Sequence, residues 1–231
     1  MPLFKDAEPL LRRKQEALDI QDRVGLWKLD WQIGSITLIS ATYTRVDQAF
    51  LLWGSIAILI FTIAQFFPVS WNLQALIWSS LTLLGSVGTI VLTYFWAEVE
   101  QLCWIVYAWV ALMLTGMILT DLSIWGGWGT VLLQLCPLWL GICAAGYLIT
   151  AWGLRSRALL LTGIAHLLGI ALLPYVGGWQ FLATAAIIGG SLLLLAESQW
   201  DMRPPIASPK LTEAQREFNR RQHQLRQSRT I

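Results

Sequence analysis

Charge is what this chain has least of: 13% of its 231 residues are Asp, Glu, Lys or Arg, against about 25% in an ordinary soluble domain. Hydrophobic residues make up 56%. A compact soluble fold of this size cannot bury so much apolar side chain in one core and still cover its surface with polar groups. The composition points away from a soluble domain and toward a bilayer.

Cysteine and histidine are scarce as well. Cys103, Cys136 and Cys143 all fall in apolar stretches, and a seven-residue separation puts the last two about 10 Å apart along a helix, so they make no disulfide framework. His166 and His223 are the two histidines. There is no Asn-x-Ser/Thr acceptor, no His-Glu-x-x-His zinc motif, no Gly-x-Ser-x-Gly elbow and no phosphate loop. With no carboxylate pair inside the apolar stretches either, no catalytic constellation is visible and the chain reads as a non-enzyme. No short apolar run with a small-residue cleavage site opens the chain, so the first apolar segment reads as an uncleaved signal-anchor.

What the chain does have is long apolar runs. A helix needs about 20 apolar residues to cross the hydrocarbon core, and residues 49–67, 75–95, 102–119, 130–152, 158–176 and 178–196 each supply such a run with no Asp, Glu, Lys or Arg. The expected fold is an all-α integral membrane protein. A six-transmembrane-helix bundle occupies 48–197, between an N-terminal region (1–47) and a basic C-terminal tail (198–231).

Cations resist translocation and collect in cytoplasmic loops. Of the 16 Lys and Arg residues, seven precede the first run, Arg155 and Arg157 lie between the fourth and fifth, and seven follow the sixth. The connections at 68–74, at 121–129 and around 177 carry none. Both termini are therefore expected to be cytoplasmic. The 14 tryptophans agree, since indole favours the headgroup level: Trp27, Trp31, Trp96, Trp104, Trp152 and Trp200 would mark the inner interface, and Trp71, Trp78, Trp125, Trp128 and Trp179 the outer one. Trp53, Trp109 and Trp139 lie deeper and are expected to pack between helices or to stack on a bound cofactor.

Outside the runs, residues 10–24 read as a short amphipathic helix with Pro9 at a permitted first position and a thin apolar face of Leu10, Leu11, Ala17 and Leu18. From 27 to 42 the period changes to two, with Trp27, Leu29, Trp31 and Ile33 alternating with polar residues before Gly34-Ser35, which predicts a β-hairpin or else an interfacial lead-in. In the tail, Thr212-Glu-Ala-Gln215 is a capping-box pattern opening a helix. The region from Arg203 carries a net charge of +5 and is expected to meet anionic lipid headgroups or a protein partner. It has no aromatic stacking platform, which argues against nucleic acid.

Two groups of residues are candidate sites. His166, with Gly163 and Gly169 three residues to either side, presents an imidazole on a face bare of side chain. That face suits either a flat tetrapyrrole, chlorophyll or haem, with Met113 or Met117 as a second haem ligand, or a close helix crossing. Glu98 and Glu100, in one turn, and Arg155 and Arg157, in the other, are expected to pair across the cytoplasmic face.

Three expectations for function follow. The first is a non-catalytic multi-pass protein, a scaffold, assembly factor or accessory subunit of a membrane complex, whose charged ends hold a membrane-protein partner, a second copy or a lipid surface. The second is a chlorophyll or haem carrier ligated by His166. The third is a carrier for an uncharged or lipid-like solute. The Leu-, Gln- and Trp-heavy composition suggests a bacterial inner membrane or a thylakoid.

Overall fold

The computed structural model describes residues 9–15, 17–33 and 36–228. In chain order it runs β1 (Leu11–Arg12), α1 (Ile20–Arg23), β2 (Trp27–Ile33), β3 (Ile36–Tyr43), α2 (Arg45–Phe66), α3 (Trp71–Val99) and α4 (Cys103–Trp125). Then come α5 (Gly129–Leu132), α6 (Leu135–Leu154), α7 (Arg157–Leu172), a 3-10 segment (Leu173–Trp179), α8 (Gln180–Glu197), β4 (Gln199–Trp200) and α9 (Glu213–Ser228). The molecule is mostly helical.

Five helical segments are long and apolar enough to cross a membrane: Arg45–Phe66, Trp71–Val99, Cys103–Trp125, Leu135–Leu154 and Arg157–Glu197. The last of them covers the fifth and sixth apolar runs and is not straight. Within the 3-10 segment Gly177 takes φ 54° and ψ −124°, a left-handed conformation that breaks the helix. The chain reverses there. Asp201, just past α8, accepts from the backbone N of Arg157 at the start of α7 (3.0 Å), while Gly169, late in α7, faces Ile187 on α8.

Short side chains set the helix ends and their tight turns. Thr44 and Asp47 form a reciprocal capping box on α2, with Asp47 N donating to Thr44 Oγ1 at 3.2 Å and Thr44 N donating to Asp47 Oδ2 at 2.9 Å. Ser156 Oγ caps α7, and Gln101 (φ 55°) and Arg155 (φ 53°) are left-handed residues that turn the chain between α3 and α4 and between α6 and α7. Small residues set how the helices meet. Gly54 and Gly189 let α2 lie against α8, and Gly163 lets α7 lie against Leu148 and the Ala144 carbonyl of α6. Deep tryptophans bridge the α2–α3 and α4–α6 seams with their N–H groups satisfied: Trp53 donates to Thr89 (2.7 Å), Trp109 to Thr150 (2.9 Å) and Trp139 to Thr120 (3.2 Å).

Outside the bundle the structure agrees with two expectations and corrects a third. The strands β2 and β3 pair antiparallel from Trp27↔Tyr43 to Ile33↔Ile36, with an irregularity between Trp31 and Gln32; the Gly34-Ser35 turn lies outside the described residues. The tail helix opens on the expected capping box, Gln215 N donating to Thr212 Oγ1 (3.3 Å) and Thr212 N to Gln215 Oε1 (2.9 Å). The expected helix over 10–24 is confined to Ile20–Arg23, and Leu11–Arg12 instead pairs antiparallel with Gln199–Trp200. The reason is packing. Helices in proteins are held by an apolar face, and this one is too thin, with Leu10 and Leu11 remaining exposed, so the backbone takes the strand partner offered beyond α8.

The α4–α6 seam generates a test. A methyl on Gly146 would collide with the Trp109 ring, whereas one on Gly190 meets nothing within 4 Å. Gly146→Ala is expected to destabilise by about 1–3 kcal/mol through displacement of that ring, and Gly190→Ala to shift stability by less than about 0.5 kcal/mol. Thermal unfolding of the detergent-purified variants measures both, and equal shifts would refute this account of the seam.

Candidate functional site

His166 is completely buried. Its Nδ1 lies 2.8 Å from the Thr162 carbonyl, and because a carbonyl only accepts, Nδ1 carries the proton in this contact. Nε2 is buried with no hydrogen-bond partner in the protein, and the imidazole sits against Tyr147 with ring centroids 5.0 Å apart. The bare face on either side of it is already covered. A methyl on Gly163 would come within 3.0 Å of Leu148, and one on Gly169 within 2.8 Å of Ile187. A tetrapyrrole needs open space beside its axial nitrogen, and here neighbouring helices fill it. The surroundings of His166 fit a close helix crossing and do not fit a macrocycle.

The larger opening lies on the other side of Tyr147. A cavity of about 160 Å³ runs between α2, α3, α4, α6, α7 and α8, walled by Trp53, Ile56, Phe61, Trp109, Met113 and Trp139 among others. Its polar lining consists mainly of hydroxyls, Thr82, Ser86, Thr89 and Thr93 along α3 with Tyr147 and Thr150 on α6, and no Asp, Glu, Lys or Arg reaches it. A cavity of about this size accepts a ring as large as benzene. Three of the residues that line it carry a fully buried polar atom with no partner in the protein, namely Trp78 Nε1, Ser86 Oγ and Tyr147 OH. Trp78, expected at the outer interface, is 2% exposed and packs on Phe61.

One end of this chamber is closed by a polar cap. Among the described residues Glu98, Glu100, Arg155 and Arg157 do not pair with one another; three of them turn to the segments that follow α8. Glu98 meets Lys210 (3.0 Å), Glu100 meets Arg203 (3.7 Å), and Arg157 meets Asp201 (3.0 Å), while Arg155 is the exposed left-handed residue that ends α6. Asp201 also accepts from Ser156 Oγ (3.0 Å) and Ala158 N (2.9 Å), a carboxylate at a helix N-terminus.

Residues that the sequence did not single out complete the cap. Arg226 of α9 grips Asp19 with both terminal nitrogens (3.0 and 2.9 Å), both side chains being almost wholly buried. Asn219 donates to Gln21 (2.9 Å), which donates to Glu100 (2.8 Å). Lys14 reaches Asp47 (2.8 Å), and Tyr43 donates to Glu197 (2.6 Å), which holds its phenol up at about 12. These partners are up to 207 residues apart in sequence, so local spacing gives no sign of them. A second cavity of about 100 Å³ lies within the cap, and Val46, Trp96 and Trp200 line both it and the chamber. No group of three or more His, Cys, Asp or Glu among the described residues could hold a metal.

In comparisons with protein-family models, curated proteins and solved structures, the chain matches none. Its function is argued from its own geometry.

Asp22 gives the cap a pH dependence. Its carboxylate accepts from Trp96 Nε1 (3.0 Å), and burial, reinforced by the nearby Asp19 charge, pushes it up to about 7. The fold prefers the neutral acid, so folding takes up a proton between the ordinary value of 3.8 and about 7. Stability is therefore fullest at low pH within this window, falls as pH rises toward 7, and stays lower above it. Glu100 is pushed the same way, mainly by burial. Asp22→Asn keeps an oxygen for Trp96 and removes the charge. It should exceed the parent's thermal midpoint at about pH 8 and flatten, without abolishing, the decline between about pH 4 and 7. Parallel curves for the two proteins would rule Asp22 out as the source.

Proposed function

We propose that this chain is a six-crossing bacterial membrane protein with both termini in the cytoplasm, and that it is a non-catalytic binding protein or carrier for an uncharged, lipid-like molecule held in the chamber. Six crossings are supported by the reversal at Gly177. The 16 residues of α7 and 18 of α8 reach about 24 and 27 Å, close to the hydrocarbon thickness of about 30 Å. The orientation is supported by the confinement of all 16 cations to the N-terminal region, the turn at 155–157 and the tail.

The observation that carries the binding function is the chamber itself, an uncharged cavity walled by six of the bundle's helices. Ligand sites between helices of a bundle have this character, apolar with a few placed polar groups. A scaffold whose ends reach out to a partner is less well supported, because the cap matches Lys14, Asp19, Glu100, Asp201 and Arg226 within the chain.

Two measurements test the proposal. With the native cysteines replaced by serine, Tyr175→Cys should react with a membrane-impermeant maleimide on intact cells and Leu225→Cys only after permeabilisation; the reverse pattern would overturn the orientation. In lipid nanodiscs, a brominated alkylbenzene should quench the tryptophan fluorescence saturably, and Ala57→Phe, which projects into the chamber, should abolish the saturable part. Quenching that only tracks partition into lipid, equal in both proteins, would overturn the binding function.

A further inference from the structure

A cluster of polar side chains sits on the outside of the bundle, where the cap meets the surface of α3 and α4. Tyr94 and Glu98 are four residues apart on α3 and so share a face, and Tyr107 lies one turn inside α4. The two tyrosines share a hydrogen bond across the α3–α4 seam. Lys210, from the segment before α9, donates to Glu98 at 3.0 Å and lies within electrostatic range of Tyr94. All four are accessible. Tyr94 is 41% and Tyr107 57% exposed, and the side chains of Lys210 and Glu98 are 55% and 28% exposed.

Their depth fits the headgroup level. Tyr94 stands about 8 Å before the end of α3 and Tyr107 about 6 Å after the start of α4, at the helix ends that the cap covers. Tyrosine favours that boundary. From Tyr94 toward the far end of α3, Val91, Val87 and Leu84 follow at steps of three and four residues, each largely exposed. They form one apolar stripe about 15 Å long, about half the thickness of the hydrocarbon core. A polar cluster at the head of a stripe of that length has the outline of one phospholipid.

The charges narrow the headgroup. An ammonium has three protons to give and Glu98 takes one, so Lys210 keeps donors for a phosphate beside the tyrosine hydroxyls. A phosphate alone would set a second anion against Glu98 with one cation to share. A headgroup with its own primary ammonium removes that repulsion, because the ammonium donates to Glu98 while the phosphate meets Lys210. A choline group carries the charge but has no N–H to give.

We infer that α3, α4 and Lys210 form a binding site for phosphatidylethanolamine, whose phosphate accepts from Lys210 and the tyrosine pair, whose ammonium donates to Glu98, and one of whose acyl chains lies along Val91, Val87 and Leu84. The site is separate from the chamber and does not depend on it.

Full-length protein in detergent is titrated with phosphatidylethanolamine, phosphatidylglycerol and phosphatidylcholine of identical acyl chains, and the first lipid bound is followed by native mass spectrometry. Phosphatidylethanolamine should bind about three- to tenfold more tightly than the other two, within the range of partly exposed charged contacts. Lys210→Ala and Tyr107→Phe should each weaken it about threefold or more, with the lipid-free unfolding midpoint close to the parent's. Glu98→Gln keeps the side chain's size and removes its charge. It should reverse the order in favour of phosphatidylglycerol, a change that misfolding would not produce. If phosphatidylethanolamine does not lead in the parent, if Glu98→Gln leaves the order as it was, or if neither other substitution weakens binding, the site is refuted.

Discussion

The hydrocarbon core of a bilayer offers no water, so every polar group placed there must find its partner inside the protein. The helices satisfy the backbone, the threonines turn back on the carbonyl four residues before them, and the indoles of Trp53, Trp109 and Trp139 find hydroxyls on neighbouring helices. Even Asp121, near the end of α4, accepts from Ser79 Oγ, whose single proton lies between its two oxygens (2.9 Å to each). Under this constraint the atoms without a partner stand out. Among the helices these are Gln74 Oε1, Trp78 Nε1, Ser86 Oγ, Tyr147 OH and His166 Nε2, and the residues Trp78, Ser86 and Tyr147 line one cavity.

The same constraint drives charge to one end, where it builds the cap. There the two ends of the chain meet, Lys14, Asp19, Gln21 and Asp22 from one side and Asp201, Arg203, Asn219 and Arg226 from the other. A buried pair such as Asp19–Arg226 is weak evidence for net stability, since burying both charges offsets much of their attraction, but removing one partner typically costs 3–5 kcal/mol. The cap is thus poorly tolerant of partial assembly. Of its contacts, those of Asn219 and Arg226 require α9.

Features encoded by local spacing were legible in the sequence. The apolar runs recur as the candidate membrane helices, the alternation from Trp27 to Ile33 forms its strand, and Thr212 and Gln215 cap α9 as their three-residue spacing requires. The end of the molecule that carries Glu98, Glu100, Arg155 and Arg157 was legible too, but their partners were not. Lys210, Arg203 and Asp201 sit beyond α8, and charge pairing carries no sequence register. For the same reason 10–24 read as a helix, its strand partner at Gln199–Trp200 being nearly 190 residues away. The chamber was hidden for a different reason. Trp53, Met113 and Thr82 are the same residue types whether they fill a seam or line a cavity, and only the tertiary packing distinguishes the two.

His166 shows how that distinction bears on function. In sequence it is the conspicuous group, an ionisable side chain at depth between two glycines, and those glycines can mean either open space or close approach. Leu148 and Ile187 decide for close approach, which leaves the imidazole in a helix seam with Nδ1 tied to Thr162. Its place in the chamber's chemistry is then indirect. It packs against Tyr147 with the two rings tilted. The histidine thus packs behind Tyr147, a residue that lines the chamber on α6.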